Sequence, residues 1–199
     1  MAVPADWDFS NVNWILDTSR YVSAPSSLRL RCGSAIPGGC LALCKHPGSL
    51  CLPQARLATS LYSTSENRIC LVFRNQAPAG SSNWTNCYRL YIIVQGARLI
   101  RRLNNVDTQF DEWANPWLTY NTWHQLRLSW WTAYNNQNVK SLAIRTEYWD
   151  GAKWVIARTS YDPLNMWEDS AVNRCGVAAS YDTAYYMYFD DTEIWKPGE

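Results

Sequence analysis

The 199-residue sequence contains no apolar run long enough to cross a bilayer as a helix. It has no charge bias either: 18 Lys and Arg stand against 17 Asp and Glu, for a net charge of +1. That excludes the broad basic field of a nucleic-acid or acidic-membrane binder. Histidine is reduced to His46 and His124, which narrows the supply of general bases. Repeats, charge blocks, phosphate-binding glycine loops and convincing helical periodicities are missing. The opening stretch "MAVPADWDF" lacks the basic and apolar segments of a secretory leader, so no leader is expected in this chain. Phenylalanine is scarce, at 4 against 12 Trp and 12 Tyr. Phe only packs, whereas Trp and Tyr also present an N–H or O–H, so the imbalance predicts half-exposed aromatic surfaces as well as core. Lysine is scarce too, at 4 against 14 Arg, and arginine is the cation that stacks on rings and bonds bidentately.

Cysteine is not scarce. There are seven, Cys32, Cys40, Cys44, Cys51, Cys70, Cys87 and Cys175. An odd number leaves at least one unpaired within the chain or free to pair with another chain. Cys40, Cys44, His46 and Cys51 have the residue types of a zinc site, but zinc knuckles usually put two residues between paired cysteines. Disulfides or buried thiols are the expectation, and disulfides would fit an exported or particle-borne protein.

Pro and Gly punctuate the chain at short intervals, from Pro25 to Pro163, and β-branched and aromatic runs lie between them. This pattern predicts an all-β, antiparallel β-sandwich of about ten or more strands in one domain spanning residues 1–199. "SSLRLRC" alternates leucine with arginine. "CYRLYIIVQ" and "RLIRRL" flank Gly96-Ala97, which reads as a hairpin turn. "WHQLRLSWW" puts Leu126, Leu128 and Trp130 on one face and Gln125, Arg127 and Ser129 on the other. Asp150-Gly151 is a turn signal between "SLAIRTEYW" and "AKWVIARTS". The segment Phe110–Thr122 reads as the longest irregular stretch.

Four of these stretches resemble a known fold family. "TWHQLRLSWW" resembles the central strand of concanavalin A-like (laminin-G-like) jelly-roll domains, and "SLAIRTEYWDGAKW" is placed as the hairpin is in those domains. "YFDDTEIW" is similar to the closing strand of that superfamily and of jelly-roll carbohydrate-binding modules. "YVSAPSSLRLRC" looks like the second strand of such modules. The resemblance covers roughly the first 32 residues and the last 80, and the cysteine-rich middle lies outside it. It implies a jelly roll, and a structural calcium ion joining the first and last strands. Asp190 would supply one carboxylate and Asp8 or Asp6 another; calcium takes six to eight oxygens.

Catalysis has little support. The Glu-x-Asp-x-x-Glu strand of many glycan-cleaving members is absent. The strand acids are Glu147, Asp190, Asp191 and Glu193. Neighbours on a strand point to opposite faces, so Asp190 should share a face with Tyr188, Thr192 and Ile194, and Asp191 with Phe189, Glu193 and Trp195, unless a bulge intervenes. One aspartate is expected to hold a turn or a calcium ion while the other faces water. Sugar binding is better supplied, because indole and phenol faces stack on pyranose rings while Asn, Asp and Arg reach hydroxyls. Three clusters qualify: Trp113, Trp117 and Tyr120 beside Asp111, Glu112 and Asn115; Trp130, Trp131 and Tyr134 before the Asn135–Asn138 loop; and Trp84 within "SSNWTNCY", which also contains a glycosylation sequon at Asn83.

The expected function is therefore a non-catalytic, lectin-like carbohydrate-binding protein displayed on an extracellular or particle surface. Its expected partners are a glycan and other copies or structural proteins, with no nucleic acid. The alternative class is a structural subunit, such as a virion decoration or extracellular filament protein. A glycan-cleaving hydrolase or lyase is the third reading.

Overall fold

The computed structural model describes residues 6–9, 14–22, 27–31, 40–44, 54–64, 68–78, 80–81, 83–93, 96–114, 118–180 and 186–195. Among the described residues there are fourteen strands and no helix: β1 (Trp7–Phe9), β2 (Trp14–Asp17), β3 (Ser27–Arg31), β4 (Cys40–Cys44), β5 (Ala55–Ser63), β6 (Arg68–Asn75), β7 (Cys87–Ile93), β8 (Gly96–Leu103), β9 (Val106–Ala114), β10 (Trp123–Tyr134), β11 (Lys140–Trp149), β12 (Trp154–Asp162), β13 (Arg174–Ser180) and β14 (Tyr186–Trp195). They form two seven-stranded antiparallel sheets. Sheet I runs β1-β4-β13-β6-β7-β8-β9 and sheet II runs β12-β11-β10-β5-β14-β3-β2.

The period of two in the sequence sets which side chains meet between the sheets. Sheet I contributes Ile69, Leu71, Phe73, Tyr88, Leu90, Ile92 and Val177. Sheet II contributes Leu57, Leu61, Leu126, Leu128, Trp130, Leu142, Ile144, Met187 and Phe189. Each is sealed from water. Phe73 sits at the centre, stacked on Tyr88 at 5.4 Å and tilted against Trp130 at 5.1 Å. The opposite face of sheet I is also covered: Leu41, Leu43, Cys70, Val72, Cys87 and Ala178 form a second buried cluster beneath Trp84 and Tyr91. Strand β4, "CLALC", is therefore buried on both faces. That accounts for a continuous apolar run where a half-buried strand would alternate.

Along one long side the inward positions turn polar. Asp162 on β12 accepts hydrogen bonds from Arg101 Nη1 on β8, at 2.7 Å to each oxygen, and from the Tyr88 hydroxyl on β7 at 2.5 Å. Next to it, Asp111 on β9 is gripped by Arg158 through two bonds of 2.9 and 3.0 Å and by the Ser160 hydroxyl. These carboxylates join the β7–β9 edge of sheet I to the β12 edge of sheet II. Burial pushes the Tyr88 phenol far up, and the hydrogen bond and negative charge of Asp162 add to it. For Asp111, burial opposes ionisation, but the bonds from Arg158, Ser160 and the Glu112 amide outweigh it and hold the carboxyl below its ordinary range.

Several expectations change. Phe110–Ala114 is not irregular but the end of strand β9. This strand has one partner and carries Asp107, Asp111 and Glu112, so it shows no apolar alternation. The turn between β7 and β8 precedes Gly96, which already pairs with Ile93, while Ala97 pairs with Ile92. The Asp150-Gly151 turn forms: Gly151 has φ 102°, and Asp150 Oδ1 accepts the Ala152 and Lys153 amides at 2.9 Å. Of the two expectations for the cysteines, buried thiols hold and disulfides do not for Cys70, Cys87 and Cys175. Burial in apolar surroundings raises all three, Cys87 to about 12. Cys40 and Cys44 stand four residues apart on one strand, about 13 Å by strand rise, too far to ligate one zinc ion together. Cys32, His46 and Cys51 lie outside the described residues.

Three outcomes follow. Asp162→Asn removes the counter-charge of Arg101 in the seam, and urea denaturation should show a loss of about 3 kcal/mol. Gly176→Ala should cost about 3 kcal/mol or abolish folding, because an added Cβ would press into the Ala42 carbonyl and lie 2.9 Å from Leu43 Cα, both in the backbone of β4. The stability supplied by Asp111 is complete above about pH 4 and is lost as pH falls through its lowered value, so the stability gap between the protein and Asp111→Asn should narrow below about pH 4.

Candidate functional site

Among the described residues, the outer face of sheet II lacks the cover that seals sheet I. Pairing across β11, β10, β5 and β14 arranges its side chains in rows. The first row holds Arg145, Ser129, Arg56 and Trp195. The second holds Glu147, Arg127, Ala58 and Glu193. The third holds Gln125, Ser60 and Asp190, and the fourth Trp123, Tyr62 and Tyr188. The fourth row is closed by Arg20, which lies 4.5 Å over the Tyr62 ring and donates to the Tyr62 hydroxyl. In the second row Arg127 forms a two-bond pair with Glu147, at 2.8 and 2.6 Å, and stacks 4.4 Å from the Trp154 ring centre. Trp154 in turn meets Trp149 edge-on at 5.7 Å.

The closing strand bulges here. Asp190 pairs with Ser60 and Glu193 with Ala58, so Asp191 and Thr192 together face the single residue Thr59. Asp191 takes φ 46°, and the Thr59 hydroxyl fills the kink by donating to the Asp190 carbonyl at 3.2 Å, 2.9 Å from the Thr192 hydroxyl. The bulge corrects the expected faces. Glu193 and Trp195 join Asp190 on the outer side, whereas Phe189 and Ile194 pack with the core. Asp190 Oδ2 accepts the Val22 amide at 2.6 Å, and its Oδ1 accepts the Asp191 amide at 2.9 Å. It anchors the segment after β2, while Asp191 is exposed.

Between the walls of β10 and β14, small side chains leave a cleft of about 350 Å³. Ala58 and Ser60 contribute to its floor, and Gln125, Trp154, Asp191, Glu193 and Trp195 line it. Among the described residues that line it there is no histidine or tyrosine. His124 points the other way; its Nε2 is tied to Thr119 and burial lowers its basicity.

The residues singled out in the sequence do not form one site. Trp113 packs against the core from edge strand β9, and Trp84 covers the outer face of sheet I with Arg89 5.4 Å from its ring. Trp131 lies on the outer face of sheet II beneath Arg145, at 5.3 Å, while Tyr134 is exposed at the strand end. Tyr120 is half-buried, and Trp117 and Asn115 lie outside the described residues. Trp154, Trp195, Gln125 and Arg127 were not proposed as ligand contacts. For Gln125 and Arg127 the signal was the alternation of "WHQLRLSWW", which sets them opposite Leu126 and Leu128; no local spacing marked Trp154 and Trp195 as lining one cleft.

The paired carboxylates do not fit a shared calcium ion. The first strand lies in sheet I and the last in sheet II. Asp8 is occupied by Arg174 at 2.6 Å and by the Gly80 amide at 3.0 Å, and Asp190 by two amides. Among the described residues no group of three or more His, Cys, Asp or Glu could hold a metal.

No protein-family model and no curated protein matches the chain. Solved structures do. The carbohydrate-binding module CBM66 from Bacillus subtilis is 12% identical, with 96% of each chain covered and a TM-score of 0.59. The exoplasmic/lumenal domain of VIP36 with Ca2+ and Man2 bound is 9% identical over 100% of this chain and 85% of that one, with a TM-score of 0.60. Alginate lyase vAL-1 from Chlorella virus is 11% identical over 96% and 93%, with a TM-score of 0.59. A carbohydrate-binding module, a lumenal domain with Man2 bound and an alginate lyase thus share one architecture with this chain, and the fold is a jelly-roll β-sandwich.

Proposed function

We propose that the protein binds carbohydrate without cleaving it, in the cleft on the outer face of sheet II. The observation that carries this reading is the pair Trp154 and Trp195 lining a cleft over small residues, with Gln125, Ser60 and two carboxylates beside them. Indole faces take the C–H surfaces of sugar rings, and amide, hydroxyl and carboxylate groups take the hydroxyls, which is the composition of a small-ligand site. Neighbours that bind sugars and neighbours that cleave them share the fold, so fold does not separate the two.

The residues support binding alone. Glycosidases flank the scissile bond with two carboxyl groups, whereas Asp191 and Glu193 stand on one strand at one side of the cleft, and both Glu147 oxygens are engaged by Arg127. The alternative of a structural subunit has one observation in its favour, the exposed Trp149 at the end of β11 and Ile156, Tyr161 and Leu164 along and just beyond β12. Sedimentation velocity tests it, since a monomer at every concentration would remove that reading.

Trp154→Ala and Trp195→Ala should each weaken oligosaccharide affinity at least tenfold, about 1.4 kcal/mol. Trp113→Ala should lower the melting temperature and leave affinity in place. Titration calorimetry against an oligosaccharide panel checks both, and failure of every sugar to bind at millimolar concentration would remove the proposal.

A further inference from the structure

We infer that the glycan bound in this cleft carries protonated amines: an amino-sugar polymer fits it, and a polyuronate does not. This rests on the carbohydrate reading above and adds the charge class of the ligand.

Most carboxylates on the outer face of sheet II have a partner. Asp17 is paired with Arg29, Glu147 with Arg127, and Asp190 accepts two amides. Asp191 and Glu193 are different. Both line the cleft, and neither carboxylate has a salt bridge or hydrogen bond among the described residues. The cations nearby do not answer them. Arg127 is committed to Glu147 and Trp154. Arg56 lies one row further on, opposite Trp195, with its Nε on the Ser129 hydroxyl at 3.3 Å.

The charge of the site is thus two negative groups beside two indoles, over a floor too small to fill the space. An ammonium there gains from both, because opposite charge is attractive at short range and an indole face attracts a cation within about 6 Å. A uronate would set its carboxylates against Asp191 and Glu193, and a neutral sugar would leave them unanswered. The pair of indoles selects a sugar over a lysine-rich peptide, since a pyranose ring presents a flat C–H surface and a lysine side chain does not. Gln125 and Ser60 remain for the hydroxyls.

The test compares a glucosamine hexamer, an N-acetylglucosamine hexamer, a galacturonate hexamer and hexalysine by titration calorimetry at about pH 6, where the sugar amines are protonated. The glucosamine hexamer should bind at least roughly tenfold tighter than the acetylated one, with the uronate undetectable and hexalysine weaker than either sugar. The double variant Asp191→Asn, Glu193→Gln should reduce the preference to about twofold or less by removing its charge component, while Trp195→Ala weakens both sugars. Salt at about 0.5 M should weaken the amine form selectively. Equal affinity for the two sugars, tighter binding of the uronate, hexalysine as tight as glucosamine, or a preference that survives in the double variant would each overturn the inference. Binding of the neutral hexamer without any amine preference would do so and leave the carbohydrate reading standing; absence of binding by every sugar would remove both.

Discussion

The carboxylate of Asp162 decides how the two sheets meet. A sandwich built only of apolar pairs can slide, because dispersion and hydrophobic burial have little direction. Asp162 ends β12 in sheet II and takes its bonds from β7 and β8 in sheet I. Charge-assisted bonds have fixed lengths and angles, so they place the edge of one sheet against the other. Tyr88 carries this placement inward: its hydroxyl meets Asp162, its ring stacks on Phe73, and Phe73 meets Trp130. Trp130 lies on β10, whose other face presents Gln125 and Arg127. One polar contact at the seam is therefore linked by three aromatic rings to the strand that forms a wall of the cleft.

The two outer faces divide the work of the molecule. Sheet I spends its outer face on a second core beneath Trp84, with Arg174 gathering the Cys44, Leu43, Pro78 and Ser81 carbonyls and the Asp8 carboxylate around it. This arrangement satisfies a buried guanidinium and ties β1 and β4 to β13. Sheet II keeps its outer face open, so the surplus of Trp, Tyr and Arg in the composition is displayed there as stacked pairs: Arg127 on Trp154, Arg145 on Trp131 and Arg20 on Tyr62.

The architecture was legible where alternation was clean. "WHQLRLSWW" is strand β10, because Leu126, Leu128 and Trp130 are buried while Gln125, Arg127 and Ser129 reach the open face. Strands β5 and β9 were hidden for opposite reasons. "ARLATSLYS" is the centre of sheet II, but Ala58 and Ser60 on its outer face are small, so nothing marks the pattern. Strand β9 is an edge, and its charged residues face solvent or arginine. The site was less legible than the fold. Aromatic counts pointed to sugar, yet Trp113 and Trp84 went to packing, and Trp154 and Trp195 were brought together by a sheet order that no local spacing reveals. The two aspartates show the limit most clearly: an alternation rule assigns faces correctly until one residue is added to one strand.

That added residue also separates two kinds of change. Most positions on β14 answer to a partner on β5, so a substitution there must suit a neighbour across the ladder as well as its own surroundings. Asp191 has no such counterpart, already holds the left-handed backbone, and sits at the rim of the cleft. Its side chain can change in charge, among residues such as Asn and Gly that the left-handed backbone tolerates, while Asp190 and Glu193 keep their pairs. The bulge thus gives the closing strand one position where the surface offered to a ligand can be revised without repacking the sandwich beneath it.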